Sequence, residues 1–527
     1  MRPAFTQVGS SALKSYQLRL DKEVSLRKVA AKSTKPGTPD TSTDICRQPS
    51  SSLSPALQLA PELLSEVFCH SLRFSEFIQP NSLESPLLLS QICRHWRHIA
   101  LTTPRLWSSI RFAVTADEVK NMHRISTLQL WLLRSGNCPL SLRFEPDSCI
   151  CSLDPVLNKD SMRFWPEVLD QAHRWEHVSI KVPTRFWNWM LRLVAGPTPI
   201  LRTLTIDTLS GSDVGVDGRP LHRIEGSVKL HEVCLFTPID LEAIVLPWNQ
   251  LTKLVLYPPY NHKILLDDTL LDAMAQCANL EFLCLAIRTP KYPPKSPLVH
   301  LKKLAELTLI GQASVNFLDY IITPSLLSFS FIMNDEPGIY WSHGQFLTFL
   351  DRSYHPLINT FTLQGVFITE EELIECFQLL PQLSVLILSV ETPDDGIIFT
   401  DRLFHLMTCC GTLPGPLLLP SLQHLSIKRR IDGSPDAFTR MVRSRSTVHK
   451  HKSDHFNPTS TPPGAVETWR WVIVDVYPNF DSHEAWEVLQ DCRWRGLDVR
   501  IKISDHDDLH SDPQCSCNSY SRSFSEY

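Results

Sequence analysis

The sequence predicts an α/β chain: a small all-α domain of three short helices, followed by a long irregular array in which strands alternate with helical connections. Three observations carry this. Between residues 57 and 112 apolar residues recur at helical spacing. From about residue 138 a phrase with apolar residues at its first, fourth and sixth positions recurs ten times, the last ending at Ile427. The 527 residues are 43% hydrophobic and 20% charged, the make-up of a folded soluble chain holding more than one domain or one long array.

The helical region comes first. A helix is predicted from Pro61, a residue suited to an opening turn because its missing N–H would be unpaired there anyway. Leu63, Leu64, Val67, Phe68 and Leu72 give it a wide apolar face, with Glu62, Ser65 and Glu66 opposite. A second helix is predicted after Ser85-Pro86. Leu88, Leu89, Ile92, Cys93, Trp96, Ile99 and Ala100 fall within less than half its circumference, and Arg94, Arg97 and His98 take the other side. A third follows Thr103-Pro104 and contributes Leu106, Trp107 and Ile110. These helices make a local core. A bundle of roughly 50 residues is marginal by itself, so part of its apolar surface is expected to meet a partner.

At these residues the chain resembles the F-box family. The family pattern is a Leu-Pro-x-Glu start followed by two hydrophobic residues, then a Cys-x-x-Trp helix, then a Leu-Trp close. It is matched by Leu59, Glu62, Leu63, Leu64, Val67 and Phe68, then by Ile92, Cys93, Arg94, Trp96 and Ile99, then by Leu106 and Trp107. The register over Arg94–Ser108 is especially similar to the F-box-like proteins that mushroom-forming fungi carry in large numbers. Ala60 stands where the family usually has its first proline, and residues 73–85 form an insertion between the first two helices. Both departures bear on docking. The resemblance implies a non-enzymatic substrate-recognition adaptor of an SCF-type cullin–RING ubiquitin ligase. Residues 56–113 would be the F-box-like domain, docking on a Skp-type adaptor. The resemblance places Leu59, Pro61, Leu64, Val67, Phe68, Ile92 and Trp96 at or directly behind that interface, while Trp96 and Trp107 fit the core of the bundle equally well.

Residues 1–55 are rich in Ser, Thr and Pro and carry Arg2, Lys14, Arg19, Lys22, Arg27, Lys28, Lys32 and Lys35. They are read as a disordered basic leader, the acidic Asp21 and Glu23 arguing against a mitochondrial presequence. The repeat phrase appears at Trp175/Val178/Ile180, Leu201/Leu204/Ile206, Leu230/Val233/Leu235, Leu251/Leu254/Leu256 and Leu280/Leu283/Leu285. It continues at Leu304/Leu307/Leu309, Leu326/Phe329/Phe331, Ile358/Phe361/Leu363, Leu383/Leu386/Leu388 and Leu422/Leu425/Ile427. Most steps approach the 20–29-residue period of leucine-rich repeats. Helix-like runs such as Leu270–Cys277 and Glu370–Leu380 lie between phrases. Residues 138–430 are therefore expected to form an irregular leucine-rich-repeat α/β solenoid, and a doubly wound sheet is the alternative. Lys253, Val255 and Tyr257 on one strand and His424, Ser426 and Lys428 on another would point outward and line a face for a protein substrate. A polar linker is expected over 431–465, holding His449, His451 and His455, then a cap of the array over 466–503 and a flexible tail over 504–527.

The remaining signals exclude more than they assert. A net charge of −5 gives no case for nucleic acid or a membrane surface. No run of eighteen apolar residues and no signal-peptide core are present. No asparagine sits in a glycosylation sequon, which favours the cytoplasm or nucleus. The 15 cysteines show no disulfide framework or zinc spacing, and Cys409-Cys410 and Cys515-x-Cys517 are too close for the usual pairs. No nucleophile elbow, dinucleotide fingerprint or Walker loop is present, so no catalytic residue, metal or cofactor is assigned. In His483-Glu484-Ala485-Trp486-Glu487, Glu487 stands where a zinc-protease helix needs its second histidine. Glu370-Glu371-Glu372 suits the start of a helix after Thr369. A non-ligase interaction scaffold with a diverged F-box, and an enzyme with an unfamiliar site, remain as the other readings.

Overall fold

The structure is a computed structural model. It describes residues 59–503 apart from segments 73–76, 115–117, 147–163, 184–197, 210–226, 238–240, 242–245, 259–263, 289–292, 334–338, 390–398, 410–416, 429–432, 447–469, 477–482 and 495–496. The leader, the tail and the three linker histidines lie outside the described residues. The chain forms two compact units, divided between Val178 and Ser179.

In the first unit, α1 (Pro61–His70) starts at its proline, with Glu62 in the first turn where a carboxylate favours the helix dipole. The expected second helix is two helices, α2 (Leu89–Ile92) and α3 (Arg94–Thr102). Cys93 between them is extended (φ −152°, ψ 172°), and its sulfur accepts the Trp96 N–H at 3.4 Å. A thiol thus takes the N-cap place usually held by a side-chain oxygen, and the chain turns there. The expected third helix is only a 3₁₀ turn, Pro104–Trp107. Ile110 lies beyond it on β1 (Ser109–Val114), which pairs in parallel with β2 (Leu140–Pro146). Strand structure therefore begins inside the span 56–113 expected to be wholly helical, and before residue 138.

A helix absent from the sequence reading, α4 (Glu118–Arg134), brings Trp131 edge-on against Trp107, with ring centroids 4.7 Å apart. Trp107 is fully buried and donates its indole N–H to the Ala100 carbonyl at 2.8 Å. Phe112, Phe144, Phe164 and Trp165, the last opening α5 (Trp165–Asp170), form an aromatic cluster beside the strands. Buried Arg174 donates to the Cys138 carbonyl, Gln171 and Ser135, tying the turn before β2 to the one before β3 (Trp175–Pro183). Strand β3 crosses the division between the units.

The second unit is a large parallel sheet. Its strands are β4 (Thr203–Leu209), β5 (Glu232–Phe236), β6 (Lys253–Leu256), β7 (Phe282–Arg288), β8 (Glu306–Ile310) and β9 (Ser328–Ile332). They continue as β10 (Thr360–Gln364), β11 (Val385–Ser389), β12 (His424–Lys428), β13 (Trp471–Val476) and β14 (Asp498–Ile503). From β4 to β14 the order in the sheet is the order in the chain, and every pair is parallel. The strand order never reverses among the described residues, whereas a doubly wound sheet reverses at its switch point.

The repeat phrases fall on these strands in one shared register. One column of side chains runs from Leu204 through Val233, Leu254, Leu283, Leu307, Phe329, Phe361, Leu386 and Leu425 to Val472 and Val499. All are buried, each contributing about 2 kcal/mol by leaving water. Two residues along, Ile206, Leu235, Leu256, Leu285, Leu309, Phe331, Leu363, Leu388 and Ile427 form a second buried column on the same side. Side chains alternate across a strand, so the residues between these columns occupy the other, outer face.

The connections cover the inner columns. Among them are α6 (Asp268–Gln276), capped by the Asp267 carboxylate on the Leu270 N–H at 3.0 Å, and α7 (His343–Arg352). Next come α8 (Glu370–Leu379) and α9 (Asp401–Met407). The expected runs at 270–277 and 370–380 are α6 and α8. The linker expected over 431–465 is corrected at its start, where residues 435–446 form α10 (Pro435–Ser446). Ala437, Phe438, Met441 and Val442 recur at helical spacing and are buried. Arg445 is buried with them and donates to the carbonyls of Met407, Leu418 and Leu419. α11 (His483–Trp494) lies between β13 and β14, and these two strands, in the span 466–503 expected to close the array, are the last two of the same sheet.

Candidate functional site

Two surfaces contain the residues singled out from sequence, one in each unit. On α1 a shift of one position separates inside from outside. Leu64 and Phe68 are sealed in the core, while Leu63 and Val67, one turn apart, are 57% and 53% exposed. Leu59 is exposed just before the helix, as is Pro61 at its start. The turn at Cys93 frees Ile92 (53% exposed) and Leu88 from the direction taken by Ile99 and Ala100, which are buried. Trp96 is half-buried against Phe68, with ring centroids 4.9 Å apart. Glu66 pairs with Arg105 at 2.9 Å, and the Ser71 and Ser85 hydroxyls meet at 3.1 Å. Of the residues the F-box resemblance singles out, Leu59, Pro61, Val67 and Ile92 are thus at the surface. Trp96 is at its edge, and Leu64 and Phe68 lie directly behind it. Leu63, part of the F-box pattern but not of the expected interface, and Leu88 join the surface. Their i,i+4 offsets from Val67 and Ile92 were the signal.

On the outer face of the sheet, Lys253, Val255 and Tyr257 share one side of β6 and the chain just after it, as expected. Val255 does not reach solvent, however. It is buried with Cys284, Ala286 and Ile310 under half-buried Cys234, Phe236, Tyr257, Phe282 and Ile332. Phe236 and Tyr257 meet edge-on at 6.3 Å, and the Lys253 ammonium lies 4.9 Å from the centre of the Phe282 ring. The second strand singled out, β12, differs. His424 is half-buried and Ser426 buried. Burial, with the Arg470 guanidinium adding to it, holds the His424 imidazole below its ordinary pKa. The side chain of Lys428 lies outside the described residues. The sequence pattern identified the face but not the aromatic side chains that close over its centre.

No family model matches the chain, and no curated protein matches it.

One Cys–His–carboxylate series was not legible in sequence, because its members are a helix apart. His343 Nε2 lies 2.8 Å from Glu375, and the Cys376 sulfur lies 3.8 Å from His343 Nδ1. The arrangement has the outline of a nucleophile, a base and an orienting group. Cys376, however, is fully buried. Burial pushes its thiol up to about 12, with Glu372 and Glu375 adding to the rise and the nearby Trp341 side chain opposing it. No substrate reaches this sulfur, and at neutral pH it is a thiol, not the reactive thiolate. The glutamates opening α8 are also accounted for. Glu372 closes a capping box with Thr369, Glu371 pairs with Arg402, and Glu370 accepts from the Thr400 N–H and hydroxyl. Glu484 and Glu487 are exposed on α11. Among the described residues no three His, Cys, Asp or Glu side chains are grouped to hold a metal ion, and no helix is long and apolar enough to cross a membrane.

Proposed function

We propose that this chain is the substrate-recognition adaptor of an SCF-type cullin–RING ubiquitin ligase. The helices over residues 59–107 dock on a Skp-type adaptor. The parallel sheet and its connections act as an irregular leucine-rich-repeat solenoid whose outer face captures a protein substrate. The mechanism is tethering: holding the substrate near the ubiquitin-charged enzyme raises its effective concentration, and the chemistry belongs to other subunits. One observation carries the reading. Leu59, Leu63, Val67, Leu88 and Ile92 remain in water within a stretch of 34 residues (59 to 92) that matches the F-box pattern. Large apolar side chains left in water together in one short stretch, rather than scattered singly, are the kind of surface that an interaction partner covers.

The test is retention of a purified Skp-type adaptor by the full-length chain. Wild type retains it, and a Leu63→Asp/Val67→Asp variant does not, while both unfold at the same urea concentration. Both side chains already face solvent, so the variant leaves the core intact. Equal retention, or none by wild type, overturns the ligase reading and favours the alternative of a non-ligase scaffold with a diverged F-box. The turn at Cys93, which splits the second helix, is the observation on that side.

A further inference from the structure

Four outer-face positions stand in one row across the sheet. Glu232, Lys253, Phe282 and Glu306 are register partners on β5, β6, β7 and β8. Neighbouring strands lie about 4.8 Å apart, so the row reads anion, cation, aromatic ring, anion at that step. Among the described residues Lys253 pairs with no carboxylate, and its ammonium rests over Phe282. Glu306 is exposed, and the nearest cationic partner of Glu232 is His231 at 3.7 Å. Two residues further along the same strands, roughly 6.7 Å away, the outer face carries no charge. There it becomes the apolar field of Val255 and Cys284, flanked by Phe236, Tyr257 and Ile332. A border of anion, cation, ring and anion beside a half-buried aromatic field specifies both the sign pattern and the apolar content of whatever covers it.

The spacing selects the geometry of that occupant. Side chains three or four apart on a helix are about 5–6 Å apart, close to the strand step, whereas same-face residues of an extended segment are about 6.7 Å apart. We infer that this field docks an amphipathic helix of a protein partner, laid across β5–β8. Its contact line reads cation, anion, apolar residue, cation at i, i+4, i+7 and i+11, and bulky apolar residues on the adjoining line meet Tyr257 and Phe236. The cations face Glu232 and Glu306, the anion faces Lys253, and the apolar residue covers Phe282. Wrong charge order places like charges opposite one another, so the row discriminates partners as well as attracting one. This inference rests on the outer face being the substrate surface proposed above, and it names the substrate class.

A displayed library of an alanine-based helix of about 18 residues, with these four contact positions and the adjoining line randomised, is selected on the full-length chain. Binders of a Phe282→Asp variant are removed. The selected helices should read Lys/Arg, Asp/Glu, apolar, Lys/Arg, and should bind a Lys253→Glu variant at least ten-fold more weakly. Selection on the Lys253→Glu variant should exchange the acidic residue at the second position for a basic one. Helices without this charge order, helices indifferent to Lys253→Glu, or a library yielding nothing that distinguishes wild type from Phe282→Asp would each overturn the inference. Both variants alter outer-face side chains only, and their unfolding midpoints check the fold. A chain that retains the Skp-type adaptor yet selects no such helix loses this inference alone, and the adaptor reading stands.

Discussion

Helix α1 and strand β9 both alternate between core and solvent, yet they treat solvent differently. Strand β9 turns Phe329 and Phe331 inward and presents Ser328 and Ser330 outward, with half-buried Ile332 at its end. Helix α1 turns Leu64 and Phe68 inward and presents Leu63 and Val67 to water. Burial in the inner columns of the sheet is self-sufficient, because among the described residues each strand from β4 to β14 pairs with its neighbour within the chain. Burial on α1 is left half done. An apolar residue in water stabilises nothing in the isolated chain, so what remains exposed on α1 is available for a partner, and what the sheet has buried is not.

The largest effect that separates the two regions comes from truncating one side chain in each. Phe361 is fully buried between Phe329 and Phe346, with centroids 5.9 and 5.6 Å away. Phe361→Ala should cost about 4 kcal/mol in urea unfolding, and Leu63→Ala less than about 0.5 kcal/mol. Equal costs would mean that Leu63 contributes to the core as Phe361 does. Charged groups sharpen the same contrast. Arg445 is buried and serves three backbone carbonyls, and burial pulls its guanidinium down to about 10, with the nearby Cys409 opposing. Arg445→Met should cost about 3 kcal/mol, because three buried acceptors lose their donor. Arg105→Met breaks an ion pair whose side chains are both more than half exposed and should cost under about 1 kcal/mol.

The strands were legible because a short phrase, inward-facing at two of its three apolar positions, recurs on one register. Each copy is weak evidence, but Leu204, Leu254, Leu307 and Leu386 all reappear in one column. Helix α4 was not legible because Met122 and Leu133 lie exposed between the buried Leu128 and Trp131 and the chain before and after them. Apolar residues on several sides blur a stripe. Helix α10 hid behind its arginines and serines, one of which, Arg445, is a core residue. The break at Cys93 was invisible for the opposite reason. Leu88, Ile92, Trp96 and Ile99 keep helical spacing straight through it, and nothing in a stripe reports a cysteine acting as an N-cap. The candidate surface on α1 was therefore found through the family pattern, but which of its leucines face water needed coordinates.

Smaller effects test the packing of the sheet. Gly365, at the end of β10, has φ 71°, and a side chain there would collide with the Met333 carbonyl oxygen. Gly365→Ala should cost about 2 kcal/mol, from strained backbone and displaced neighbours together. Burial also pushes the Cys277 thiol up to about 12 and, with Glu372 and Glu375 adding, the Cys376 thiol to about 12 as well. A thiol whose folded pKa lies above its unfolded value of 9.0 stabilises in full below pH 9, and that contribution is lost as pH rises toward 12. Between pH 8 and 10 the unfolding free energy should fall by about 1.4 kcal/mol for each such thiol. Cys277→Ala should reduce that fall by one thiol's share. An undiminished fall would show that Cys277 ionises as freely in the folded chain as in water.

The most direct test of the account is hydrogen–deuterium exchange of the full-length chain with and without a purified Skp-type adaptor. Protection on binding should appear in α1, in residues 86–93 and in the first turn of α3, with the sheet from β4 to β14 unchanged. Protection confined to the sheet, or no protection at saturating adaptor, would contradict the claim that the exposed leucines and isoleucine of the first unit are its docking surface.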